Sequence, residues 1–174
     1  MSGANTPGTV GFVGLGAMGL PMALNLVRAG YTVQGFDLNP AALAALHEAS
    51  GIGVASAAAA ANGADTLILM VVNAAQAEAV LFEAGAAEAL PEGGSVIIMA
   101  TCPPQSVAAM ATRVEAMGRR LIDAPVSGGV AGATAASLTI MVAAPAASFA
   151  AVRPVLDAMG GKVVHVGRAR TLGR

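Results

Sequence analysis

Runs of Val, Ile, Leu and Thr recur along the chain at 9–13, 31–36, 52–54, 66–72, 95–99, 120–124, 138–142 and 162–166, and alanine-rich stretches of helical length separate them. The runs predict strands, and their alternation with helices predicts βαβ units around a parallel sheet. The 66–72 run, TLILMVV, is apolar throughout, as befits a strand covered on both faces. Polar punctuation supports the helices. RAG at 28–30 ends the first, with Gly30 placed to take the left-handed conformation that closes a helix. Asn39 and Pro40 open NPAALAALHEA as N-cap and first helical residue. Ser56 is placed to cap the short AAAAA helix that Asn62 and Gly63 stop, a tract that otherwise reads as low-complexity filler. There is no internal repeat and no interior linker. Residues 1–167 read as one domain, and the basic RARTLGR at 168–174 as an atypical tail without apolar periodicity.

Composition narrows the class. A chain of 174 residues, 56% hydrophobic but only 3% aromatic, builds its core from aliphatic side chains and alanine. The formal net charge of -1 and the lack of any Lys/Arg run leave no electrostatic footprint for nucleic acid. The single cysteine, Cys102, has no intramolecular disulfide partner and no metal-ligand cluster around it. Residues 124–152 are uncharged, yet Pro125, Gly128, Gly129, Gly132 and Pro145 interrupt them, so a loop, a strand and a helix start fit better than a membrane span. No basic residue precedes the first apolar run, which argues against a signal peptide. The expectation is a soluble, cytoplasmic protein without a metal.

Gly14, Gly16 and Gly19 form G-x-G-x-x-G between a predicted strand and a predicted helix, the context that raises this motif above chance. Gly14 permits the tight turn, Gly16 admits a pyrophosphate against the backbone, and Gly19 lets helix and strand pack closely. Leu15, Ala17 and Met18 complete the loop, and the helix start offers amides and a positive dipole end to phosphate. Asp37 follows Gly16 by 21 residues, at the end of the second strand. A carboxylate there accepts hydrogen bonds from ribose hydroxyls and repels a 2′-phosphate, so NAD is expected in preference to NADP.

GFVGLGAMGLPMALNL, FDLNP, LILMVVNAAQ, DAPVSGGVAGA and SLTIMV occur in an order and spacing that resemble the 3-hydroxyisobutyrate dehydrogenase-related family of β-hydroxyacid dehydrogenases. The resemblance runs over about 9–167, and the stretch VVNAAQAEAVLFEAGAAEAL looks most like its L-threonate dehydrogenase branch. It implies a doubly wound Rossmann-type domain in an NAD-dependent oxidoreductase that oxidises a hydroxyl β to a carboxylate in a small 3-hydroxy or sugar acid. L-threonate, 3-hydroxyisobutyrate and glycerate are the candidate substrates. It assigns the substrate carboxylate to Ser127, Gly128 and Gly129. Two glycines can turn backbone N–H groups toward an anion and a serine adds a donor, although the same residues suit a plain strand-to-helix turn. It places Thr101 beside the nicotinamide and its ribose, and Val71, Val72 and Asn73 along the cofactor. Two positions depart from the pattern: Val71–Val72 replace a Leu-Pro pair, and Ala136 stands where a glycine usually precedes the residue before LTIM. Cys102 reads as packing, His47 and His165 as structural.

The family lysine belongs to a G-x-x-x-K-x-x-N motif at the start of an interdomain helix, and no residue of this sequence matches it. Lys162 precedes the last predicted strand and is one whole element out of place. The family's all-helical second domain, which usually carries the dimer interface, has no counterpart here either. The sequence therefore reads as a truncated or frameshifted copy with little activity alone and a doubtful family-like oligomer. The alternative is a stand-alone nucleotide-binding module.

Overall fold

β1 (Thr9–Val13) leads through the glycine loop into α1 (Gly19–Arg28), and β2 (Thr32–Phe36), α2 (Pro40–Glu48), β3 (Ile52–Gly53) and α3 (Ala57–Ala61) complete the first half. β4 (Thr66–Leu69) opens the second, followed by α4 (Ala74–Glu78), a π-helical turn at Ala79–Glu83, α5 (Ala86–Ala89), β5 (Ser95–Ile98), α6 (Pro104–Ala116) and β6 (Arg120–Asp123). β7 (Val126–Ser127), α7 (Gly129–Ala135), β8 (Leu138–Ala143), α8 (Ala146–Asp157) and β9 (Gly160–Gly167) finish the chain described by this computed structural model, which covers residues 7–167. The tail expected at 168–174 lies outside the described residues.

These residues form one nine-stranded sheet. Six strands in the order β3-β2-β1-β4-β5-β6 are parallel, as the βαβ alternation predicts. The end of the sheet differs from the expectation. β6 halts before Pro125, β8 runs antiparallel to both β6 and β7, and β9 pairs parallel with β8. The two-residue β7 falls within DAPVSGG, whose turn-forming residues hide it. The predicted strand at 66–72 is corrected too: β4 ends at Leu69, and Met70 to Val72 form a loop that emerges from the core, with Val72 79% exposed.

Alternation along the strands sorts the core into two layers. Phe12, Ile68, Ile97 and Ile122 face one way, against Met22 and Leu26 of α1, Ala133 of α7 and Val152 and Leu156 of α8. Val13, Leu67, Leu69, Val96, Ile98 and Leu121 face the other way, against α3, α5 and α6. Both faces are covered, so β4 and β5 are buried at every position. The alanine tract is not filler. Ala57, Ala60 and Ala61 are buried, and a Cβ on Gly11 would stand 2.3 Å from the Ala60 carbonyl oxygen, so small residues on both sides let α3 lie on β1. The expected caps form: Asn39 accepts from the Ala41 amide at 3.0 Å and Ser56 from that of Ala59 at 3.0 Å. Gly30, at φ 99°, closes α1. Among the described residues no helix is long and apolar enough to cross a membrane.

Candidate dinucleotide site

Strand order reverses between β1 and β4, so the loops leaving their carboxyl ends diverge and open a crevice where open α/β sheets take their ligands. Each glycine of the loop has its own reason. Gly14 sits at φ 101°, and a Cβ there would stand 2.3 Å from the Met70 carbonyl oxygen. A Cβ on Gly19 would stand 1.8 Å from the Gly14 carbonyl oxygen, so α1 packs onto its own entry turn only as glycine. A Cβ on Gly16 would meet nothing within 4 Å: that face of the residue is open, as close approach by a ligand requires. Leu15 is buried while Ala17 is exposed and Met18 half-buried. No side chain caps the start of α1; Leu20 donates to the Gly16 carbonyl at 3.0 Å and Pro21 has no N–H, so the Gly19 amide is the one left at the very start of the helix for an anion.

Asp37 is held in place by two backbone amides. Leu15 donates to Oδ2 at 2.7 Å and Asn39 to Oδ1 at 2.8 Å. Each carboxylate oxygen keeps a free lone pair for a further donor. A cleft of about 420 Å³ joins Asp37 to Gly14, Gly16, Val71 and Val72, all expected from the sequence. It also includes residues the sequence reading missed: Leu38, Gln76, and Ala79 and Val80 of the π-helical turn. The Asn73-x-x-Gln76 spacing is a capping-box signal and could have found Gln76. Asn73 itself caps α4, accepting from the Gln76 amide at 2.9 Å, and does not line the cleft.

Thr101 lies exposed beyond β5, and Ser127 lies exposed in β7 beyond the neighbouring β6, both at the carboxyl edge but outside the cleft. Gly128 at φ 137° and Gly129 at φ 64° hold conformations that L side chains rarely adopt, so the loop needs both glycines. Asp123 is buried at the end of β6, and burial pushes its carboxyl up to about 6. Burial, aided by the Asp123 and Glu78 carboxylates, pushes the Cys102 thiol up, which keeps it protonated and suits packing. His165 stacks on Phe149 with ring centroids 4.6 Å apart and lies 2.7 Å from the Ala144 carbonyl, and Lys162 pairs opposite Thr139. Among the described residues no group of His, Cys, Asp and Glu could hold a metal ion.

The reversed strand order, the glycine loop and the anchored acid define a doubly wound dinucleotide-binding domain. The model for the NAD binding domain of 6-phosphogluconate dehydrogenase matches residues 9–167, and the chain belongs to that family. It is 42% identical to an L-threonate dehydrogenase of Cupriavidus necator over 94% of this chain and 56% of that protein. With a 3-hydroxyisobutyrate dehydrogenase of Pseudomonas aeruginosa the identity is 40%, over 91% of this chain and 53% of that one. The solved structure of Mycobacterium tuberculosis 3-hydroxyisobutyrate dehydrogenase with L-serine superposes with a TM-score of 0.88 at 36% identity, covering 93% of this chain and 55% of that one. The chain thus spans about half the length of the curated relatives it matches.

Proposed function

We propose that this chain binds NAD(H), in preference to NADP(H), and forms the dinucleotide half of a β-hydroxyacid dehydrogenase acting on a small 3-hydroxy or sugar acid of the L-threonate kind. The observation that carries the reading is Asp37. Its carboxylate is fixed beside the open face of Gly16 by the Leu15 and Asn39 amides, with acceptor capacity to spare for two ribose hydroxyls. A 2′-phosphate would meet that negative charge, and the neighbouring residue is Leu38, not a cation.

NAD, when bound, supplies the hydride acceptor. The chain's own residues bind and orient. The loop at 14–19 and the start of α1 hold phosphate, Asp37 holds ribose, and Val71 and Val72 wall the cleft. Thr101 stands at the nicotinamide end, and Ser127, Gly128 and Gly129 offer donors to the substrate carboxylate. Relatives named L-threonate dehydrogenase and 3-hydroxyisobutyrate dehydrogenase support the substrate class. Calorimetric titration tests the reading: NADH binds the 174-residue chain more tightly than NADPH. Replacing Asp37 by Ser together with Leu38→Arg reverses the order, because repulsion goes and a phosphate partner arrives. Tighter binding of NADPH by the unaltered chain overturns it.

A further inference from the structure

Val72 brings to the loop after β4 an amide hydrogen that a proline there would lack. That amide donates to Gln76 Oε1 at 3.0 Å, while the Gln76 amide donates to Asn73 Oδ1 at 2.9 Å. The two side chains clasp residues 72–76 into a closed unit at the point where β4 has already ended. Val72 has little packing to hold it, being 79% exposed, and yet it walls the cleft together with Val71, Gln76 and Asp37. A loop with so little burial stays ordered only if its backbone is tied.

Resting on the dinucleotide reading above, we infer that Gln76 is a positioning residue for dinucleotide binding: it holds the Val72 amide and thereby fixes the Val71–Val72 wall, in place of the conformational restraint a proline ring would give. The hydrogen bond needs both partners. Removing the acceptor frees a loop whose ordering must then be supplied by the ligand, which lowers affinity. Removing the donor by Val72→Pro makes the acceptor irrelevant, since the ring itself limits the loop.

The test is a double-mutant cycle on the 174-residue chain, with NADH and ADP-ribose titrated into the unaltered protein, Gln76→Leu, Val72→Pro and the double variant. Gln76→Leu is expected to weaken both ligands by about 2- to 5-fold, the size of one solvent-exposed hydrogen bond, with the melting temperature of the free protein unchanged. In the Val72→Pro background, Gln76→Leu changes nothing. Unaltered affinity in Gln76→Leu, or an equal loss in both backgrounds, overturns the inference while leaving the dinucleotide reading intact. Failure of the unaltered chain to bind NADH and ADP-ribose overturns that reading, and this inference falls with it.

Discussion

Ala136 shows how one residue can carry a cost that its identity alone announces. It ends α7 at φ 55° and ψ 38°, in the left-handed region that favours glycine. Left-handed backbone costs an L residue about 1–2 kcal/mol, because its Cβ crowds the following carbonyl. A glycine there escapes that strain but adds about 0.4–1 kcal/mol of unfolded-state entropy to be lost. Relief exceeds loss, so Ala136→Gly should stabilise the chain by about 0.5–1 kcal/mol, read as a higher urea midpoint at unchanged slope. An unchanged or lower midpoint would mean that the left-handed turn is not strained. The departure from the glycine pattern was visible in the sequence, whereas the backbone angle that gives it meaning was not. Asp37 is the converse case. Its spacing from Gly16 announced a ribose acid, but the Leu15 and Asn39 amides that aim it are backbone groups, on which composition and side-chain pattern are silent.

At the scale of elements, α1 and α7 are joined by a contact that links the phosphate loop to the Ser127 loop. Asn25 is buried in α1, and its Nδ2 donates to the Ala133 carbonyl at 2.7 Å. Ala133 lies in the last turn of a seven-residue helix, where carbonyls have no intrahelical donor, so a side chain from another helix supplies one. Asn25→Leu leaves that buried carbonyl unpaired and should cost about 1–3 kcal/mol. Chemical denaturation measures it, and a loss under about 0.5 kcal/mol would show that the α1–α7 tie adds little beyond apolar packing. Such a bond is illegible in a linear reading, since 108 residues separate its ends. β4 and β5 were legible because burial on both faces writes a continuous apolar run. The antiparallel end was not, because β7 is two residues long and strand direction leaves no mark on hydrophobic periodicity. The π-helical turn is illegible for a related reason: hydrophobic spacing does not distinguish it from an α-helical turn, and only the i→i+5 bond from the Ala84 amide to the Ala79 carbonyl reveals it.

Across the described residues, the carboxyl edge of the sheet gathers the glycine loop, Asp37, Val71 and Val72, with Thr101 and the Ser127 loop beside them. Leu38 at 89% exposure and Val72 at 79% stand on the cleft rim, and Val130 at 51% follows the Ser127 loop, so apolar surface collects where ligands would cover it. Binding should therefore stabilise the fold strongly. At 100 times its dissociation constant, NADH adds about 2.7 kcal/mol. At about 2–4 °C per kcal/mol for a chain of this size, the melting temperature should rise by about 5–10 °C. Turnover is a separate matter. Loss of a general base typically costs about 10²–10⁴-fold in rate, and the chain's one lysine, Lys162, lies on β9 opposite Thr139 and does not line the cleft. The purified 174-residue chain should thus show the thermal shift with NADH yet form negligible NADH from NAD and a small 3-hydroxy acid. Brisk turnover by the chain itself would refute the separation of binding from catalysis.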